Sequence, residues 1–151
     1  ANINKDAKAT PKNKVGDALP EFRFVTSKQL LMSRDDLPKG KPVLLILFNP
    51  MCDHCQKVAI NLNEHKEQFG DVTILFVTGM NLLGELDNFI NESHLTISDH
   101  FIVGAGNEEF TAPLFESNGI PQIMAYDKEW KLKAVFVERI DIEKTLEALG
   151  H

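Results

Sequence analysis

Val43-Leu44-Leu45-Ile46-Leu47-Phe48, followed by Asn49-Pro50-Met51-Cys52-Asp53-His54-Cys55, is the stretch on which the fold turns. Six apolar residues in a row, rich in branched side chains, fit a central strand covered on both faces. Asn49-Pro50-Met51 breaks that strand. Beyond it Cys55, Val58, Ala59, Leu62 and Phe69 recur near a helical period, and Gly70 ends the helix. Residues 72–77 read as a second buried strand. Strand, helix and strand make a βαβ unit, with Cys52 and Cys55 at its first strand-to-helix corner.

Upstream, residues 21–25 alternate as an edge strand does, and residues 28–32 can pair back on it across Thr26-Ser27. Residues 33–37 resemble a short helix start, with Ser33 as cap and Asp35 and Asp36 in the first turn. Downstream, residues 82–93 predict a helix with Leu82, Leu86, Phe89 and Ile90 on one face. Residues 101–103 read as a short strand, and Gly104-Ala105-Gly106 as a turn. A further helix is expected over 108–117, capped by Asn107 and strained by Pro113. Residues 122–126 and 132–137 read as an antiparallel hairpin around Asp127-Lys128-Glu129. Residues 141–149 close the chain as an amphipathic helix. The order is mixed α/β, parallel first and antiparallel at the end.

The chain has 151 residues, 43% hydrophobic and 25% charged, enough for one globular domain with a sizeable core. Its formal net charge of −6, with no basic run, argues against nucleic acid or an anionic membrane surface as a partner. The longest apolar stretch is too short to span a bilayer. Residues 1–14 are polar and rich in Lys and Asn, and cannot offset their ordering entropy by burial. They read as a flexible tail ahead of one domain over 15–151. A cleaved signal or a trimmed chain would each account for a start at Ala1.

Only two cysteines occur, three positions apart. A bridge between them closes almost no loop, so its purpose is chemical rather than stabilising. A helix N-terminus carries partial positive charge and unpaired N–H groups, which favour a sulfur anion at Cys52. Such placement can take a thiol pKa from ~8.5 to roughly 3.5–7.5. Cys55, one turn along, should be less exposed and should attack a mixed disulfide formed at Cys52. His54 favours the thiolate and Asp53 disfavours it, so the two do not fix the potential. Half of a zinc site is the competing reading, but zinc normally takes four ligands and no second Cys pair exists. His65 lies too far down the helix from His54 to share an ion with it. A copper site using both thiols and a remote histidine stays open, with His94 and His100 candidates by type alone. No metal ligand is assigned. Gly119-Ile120-Pro121 stands just ahead of the 122–126 strand, where proline commonly occupies the first residue. Alone it is a turn; after βαβ-CxxC and before a hairpin and helix it completes an architecture.

With those residues in place, the chain resembles the thioredoxin superfamily, in detail the TlpA/ResA-like branch of bacterial extracytoplasmic thioredoxins. The likeness covers about residues 15–149. It rests on Val15-Gly16-Asp17 with Pro20-Glu21-Phe22, on the Cys52-x-x-Cys55 corner, and on Gly119-Ile120-Pro121. The long Cys55-to-Pro121 interval also suits that branch. The resemblance implies a thioredoxin fold with a central mixed sheet flanked by helices, an N-terminal extension, and a strand–helix insertion near 82–101. It implies Cys52 as attacking and Cys55 as resolving cysteine, and Pro121 as a cis proline packed against the disulfide. Ile120 would offer its backbone to a bound substrate strand, beside Met51. It further implies a protein-disulfide reductant outside the cytoplasm, periplasmic or membrane-tethered through the tail. No cofactor is expected beyond the Cys52–Cys55 disulfide. Partners would be proteins with disulfides or thiols and an upstream donor, such as a membrane thiol–disulfide transporter.

Three departures qualify the likeness. Met51 stands where the family commonly has Trp, residues 43–48 lack the family's buried acid, and Asp53-His54 is not the Gly-Pro of general reductants. A histidine before the second cysteine is a feature of oxidases and isomerases, which leaves the direction of electron flow open. A peroxiredoxin reading lacks the Thr-x-x-Cys setting.

Overall fold

The computed structural model describes residues 12–115 and 119–151. Two short strands, β1 (Arg23–Thr26) and β2 (Leu31–Ser33), precede a 3-10 turn at Arg34–Asp36. Then come β3 (Val43–Leu47), α1 (Asp53–Glu64), α2 (Lys66–Phe69), β4 (Thr73–Gly79), a 3-10 segment Met80–Glu85 and α3 (Leu86–Glu92). β5 (Phe101–Gly106), α4 (Glu108–Thr111), β6 (Gln122–Tyr126), β7 (Leu132–Val137) and α5 (Ile142–Leu149) complete the chain. One seven-stranded mixed sheet results, in the order β2-β1-β5-β4-β3-β6-β7.

β3 sits at the middle of the site-bearing half, parallel to β4 and antiparallel to β6, with Leu45 opposite Leu75 and Met124. All five of its residues are buried, because side chains alternate between two cores. Leu44 and Ile46 join Val58, Ala59 and Leu62 of α1, Leu86 and Phe89 of α3 and Leu149 of α5 on one face. Val43, Leu45 and Leu47 meet Leu19, Phe22, Phe110, Leu114 and Tyr126 on the other. Each such large side chain taken from water contributes roughly 1.5–3 kcal/mol before entropy is counted.

Several expectations needed correction. β1 is not an edge strand: it pairs with β2 on one side and β5 on the other, leaving β2 at the edge. Gly104-Ala105-Gly106 is not a turn but the second half of β5, paired on both sides. A Cβ at Gly104 would lie 2.7 Å from the Val25 carbonyl oxygen and 2.8 Å from Phe24 Cδ2. Glycine is there for close strand approach. The 108–117 helix is one turn, capped by Asn107 accepting from the Phe110 N–H, and it stops before Pro113; its expected end falls outside the described residues. The 82–93 helix is divided, 3-10 through Glu85 and α-helical from Leu86. The helix after the cysteines breaks at His65, whose ring Nδ1 lies 2.8 Å from the Asn61 carbonyl oxygen.

Of the segment expected to be free through residue 14, residues 1–11 lie outside the described part. Residues 12–14 are held: the Lys12 N–H donates to the Pro113 carbonyl at 2.8 Å, and Asn13 is only 8% exposed. No described helix is long and apolar enough to cross a membrane.

Candidate active site

Phe48 closes the end of β3, edge-on to Phe76 at 5.3 Å and 4.5 Å from Phe89 between ring centroids. The chain then turns sharply. The Cys52 N–H donates to the Asn49 carbonyl at 3.0 Å, and the Met51 N–H donates to Asn49 Oδ1 at 2.9 Å. Asparagine at the first corner and proline at the second are what such a turn favours: one side chain mimics a backbone acceptor, the other pre-sets φ. Gln56 Nε2 donates to the Pro50 carbonyl at 3.4 Å and to Glu92 Oε2 at 3.3 Å, so α3 also steadies the turn.

Cys52 emerges from this turn as the N-cap of α1, in extended geometry, with its carbonyl accepting from the Gln56 N–H at 3.1 Å. No side chain caps the first turn, which leaves the free N–H groups and positive end of the helix at Cys52. The sulfur-bearing residue is half-buried, whereas Cys55 is 0% exposed. Both are free thiols, close enough for a side-chain hydrogen bond. Burial pushes the Cys55 thiol up from 9.0 to about 12; the Asn49 backbone opposes this, and the neighbouring Cys52 adds to it. One sulfur faces solvent at a helix N-terminus, and the other waits beneath it as a thiol.

The other expected residues are placed as follows. Asp53 and His54 are exposed on the first turn of α1, and Met51 is 61% exposed. The Ile120–Pro121 peptide is cis, and Pro121 is buried. Leu47 pairs with Gln122, so the loop entering β6 and the loop leaving β3 share one end of the sheet. Cys52 and Ile120 pack against the same core cluster. The Pro121 carbonyl accepts from the Glu138 N–H at 2.8 Å, and a Cβ at Gly119 would lie 2.9 Å from Glu138 Oε2. Gly119, at φ +126°, is therefore required both by conformation and by its neighbour.

Among the described residues, no group of three or more His, Cys, Asp or Glu is arranged to hold a metal ion. Sequence reasoning missed Gln56, Glu92, Met80 and Gln122. Met80, 42% exposed, follows β4 at the sheet end where Met51 follows β3. Only the parallel pairing of β3 with β4 reveals that neighbourhood.

Comparison with solved structures defines the fold. The thioredoxin domain of a thiol–disulfide oxidoreductase from Bacteroides vulgatus matches with a TM-score of 0.71 and 23% identity, over 89% of this chain and 96% of that one. A secreted disulfide oxidoreductase from Mycobacterium tuberculosis matches at 0.67 and 15%, over 85% and 94%. A peroxiredoxin-like protein from Aquifex aeolicus matches at 0.71 and 18%, over 93% and 88%. No family model matches the chain, and no curated protein matches its sequence. The chain has the thioredoxin fold. At these identities the fold is what the likeness establishes.

Proposed function

We propose that the chain is a thiol–disulfide oxidoreductase that reduces protein disulfides through Cys52 and Cys55. The observation that carries this is the pairing of a half-exposed Cys52 at the N-cap of α1 with a fully buried Cys55 one turn on. Cys52, as thiolate, attacks one sulfur of a substrate disulfide; that S–S bond breaks and one substrate thiolate leaves. Cys55 then gives up its proton, which the released substrate thiolate takes up directly or through water, and attacks Cys52 Sγ. The mixed disulfide breaks, the second substrate thiolate leaves, and the Cys52–Cys55 disulfide forms. Two electrons have passed to substrate, and an upstream dithiol must restore the pair.

Met51, Ile120 and Pro121 form the substrate platform in this reading, with the Ile120 backbone pairing to an extended substrate strand. A reductant working outside the cytoplasm is supported by the resemblance to extracytoplasmic thioredoxins and by the secreted neighbour. Metal handling has less support, because among the described residues no group of three or more His, Cys, Asp or Glu gathers around the two sulfurs.

Insulin reduction with dithiothreitol tests the proposal: turnover above background in the native chain, abolished by Cys52→Ser. No turnover above background overturns it. The reduction potential decides direction: a value near thioredoxin's, about −270 mV, fits a reductant, and one near −120 mV makes the same site an oxidant.

A further inference from the structure

Two buried side-chain amides converge on one backbone carbonyl behind the Ile120–Pro121 loop. Gln122, the residue after Pro121, is 0% exposed, and its Nε2 donates to the Leu114 carbonyl at 2.6 Å. Asn13 Nδ2 donates to the same carbonyl at 3.2 Å. The adjacent Lys12 N–H donates to the Pro113 carbonyl at 2.8 Å, so the N-terminal segment lies along 113–114. A carbonyl oxygen has two lone pairs, and here two donors take them.

The face on which this happens matters. Gln122 pairs with Leu47, whose side chain belongs to the Tyr126–Leu114 core, on the opposite side of the sheet from α1 and Cys55. The clamp therefore reaches the start of β6 from behind, without contact to either sulfur.

We infer that Asn13 and Gln122 are positioning residues for the Ile120–Pro121 loop, through which docking of the N-terminal segment sets how well a protein substrate is bound. This rests on the reading of Ile120–Pro121 as the substrate-binding loop. Losing the Asn13 donor leaves Gln122 Nε2 to hold the Leu114 carbonyl alone among the described side chains, and frees the loop to shift. Thiol chemistry at Cys52 is untouched, because the turn at Asn49–Cys52 and α1 keep their own hydrogen bonds.

The test uses the full chain with Asn13→Ala and the isosteric Asn13→Asp, which sets a carboxylate against the carbonyl. The KM for insulin should rise about 3- to 10-fold at unchanged kcat, as loss of one buried hydrogen bond allows, and further in the Asp variant. The reaction of Cys52 with a small aromatic disulfide and the reduction potential should stay at native values. Amide exchange of Gly119, Ile120 and Gln122 should quicken by a similar factor, a readout that decides the inference even if the native chain fails to reduce insulin. Unchanged exchange at these three amides overturns it. So does a KM within twofold of native, or a parallel fall in the small-disulfide reaction.

Discussion

Cys55 should be almost inert toward outside reagents while the chain is folded, although Cys52 lies within its reach. In a Cys52→Ser variant it is the only thiol, and burial, the larger cause of its raised pKa, is unchanged by that substitution. In the native chain the rise from 9.0 to about 12 lowers the thiolate fraction about a thousandfold, because each pKa unit is a factor of ten; Cys52→Ser removes the smaller contributions of Cys52 and keeps that of burial. The thiolate is the species that reacts, and the sulfur has no exposed surface for a reagent to reach. Alkylation by iodoacetamide, followed by mass spectrometry at pH 8, should thus be at least about a hundredfold slower folded than in denaturant. Its rate should climb tenfold per pH unit without levelling below about pH 11. A folded rate within tenfold of the denatured one, or a plateau near pH 9, refutes the reasoning. Cys55→Ala, retaining Cys52, should by contrast be alkylated readily when folded.

Other expectations follow from the same geometry. Below pH 9 the folded and unfolded reduced chains both keep the Cys55 proton; between 9 and about 12 only the folded chain does. Stability should then fall by about 1.4 kcal/mol per pH unit across that window. Urea titrations should show this part of the loss in the native chain and not in Cys55→Ala; buried Tyr126, also shifted upward, contributes equally to both. Gly104→Ala should destabilise by about 1–3 kcal/mol through overpacking against Val25 and Phe24, read as a lower urea midpoint. Phe89→Ala, which empties the space beside Phe48 and Phe76, should cost about 3–5 kcal/mol in the same titration. Met51→Ala should raise KM for insulin severalfold while leaving the small-disulfide reaction near native, since the side chain is exposed beside Cys52.

Much of this was legible before the structure because local signals and tertiary demands agreed. The run over 43–48 is apolar throughout because both faces of β3 are covered. Asn49-Pro50 marks a turn, and Asp141 marks the start of α5 by accepting from the Lys144 N–H at 2.9 Å. Where the two disagreed, the sequence misled. Gly104 and Gly106 carry turn propensity, yet the approach of Val25 and Phe110 requires small residues inside a paired strand. Pro113 ends α4 after one turn, though the flanking pattern continued. The docking of Asn13 depends on a contact 101 residues away in sequence, which local composition cannot encode. The helix N-terminal setting of Cys52 and the lower exposure of Cys55 were readable from spacing; the consequence of full burial for the Cys55 proton was not.

In the proposed mechanism Cys52 is the attacking sulfur and Cys55 the one that resolves. Removing the second thiol should therefore trap the first step. Cys55→Ala incubated with a disulfide-bonded protein should accumulate a mixed disulfide, and peptide mapping should place the link on Cys52. Cys52→Ser under the same conditions should form none. Absence of the trapped species, or a link formed through Cys55 when Cys52 is gone, contradicts the account.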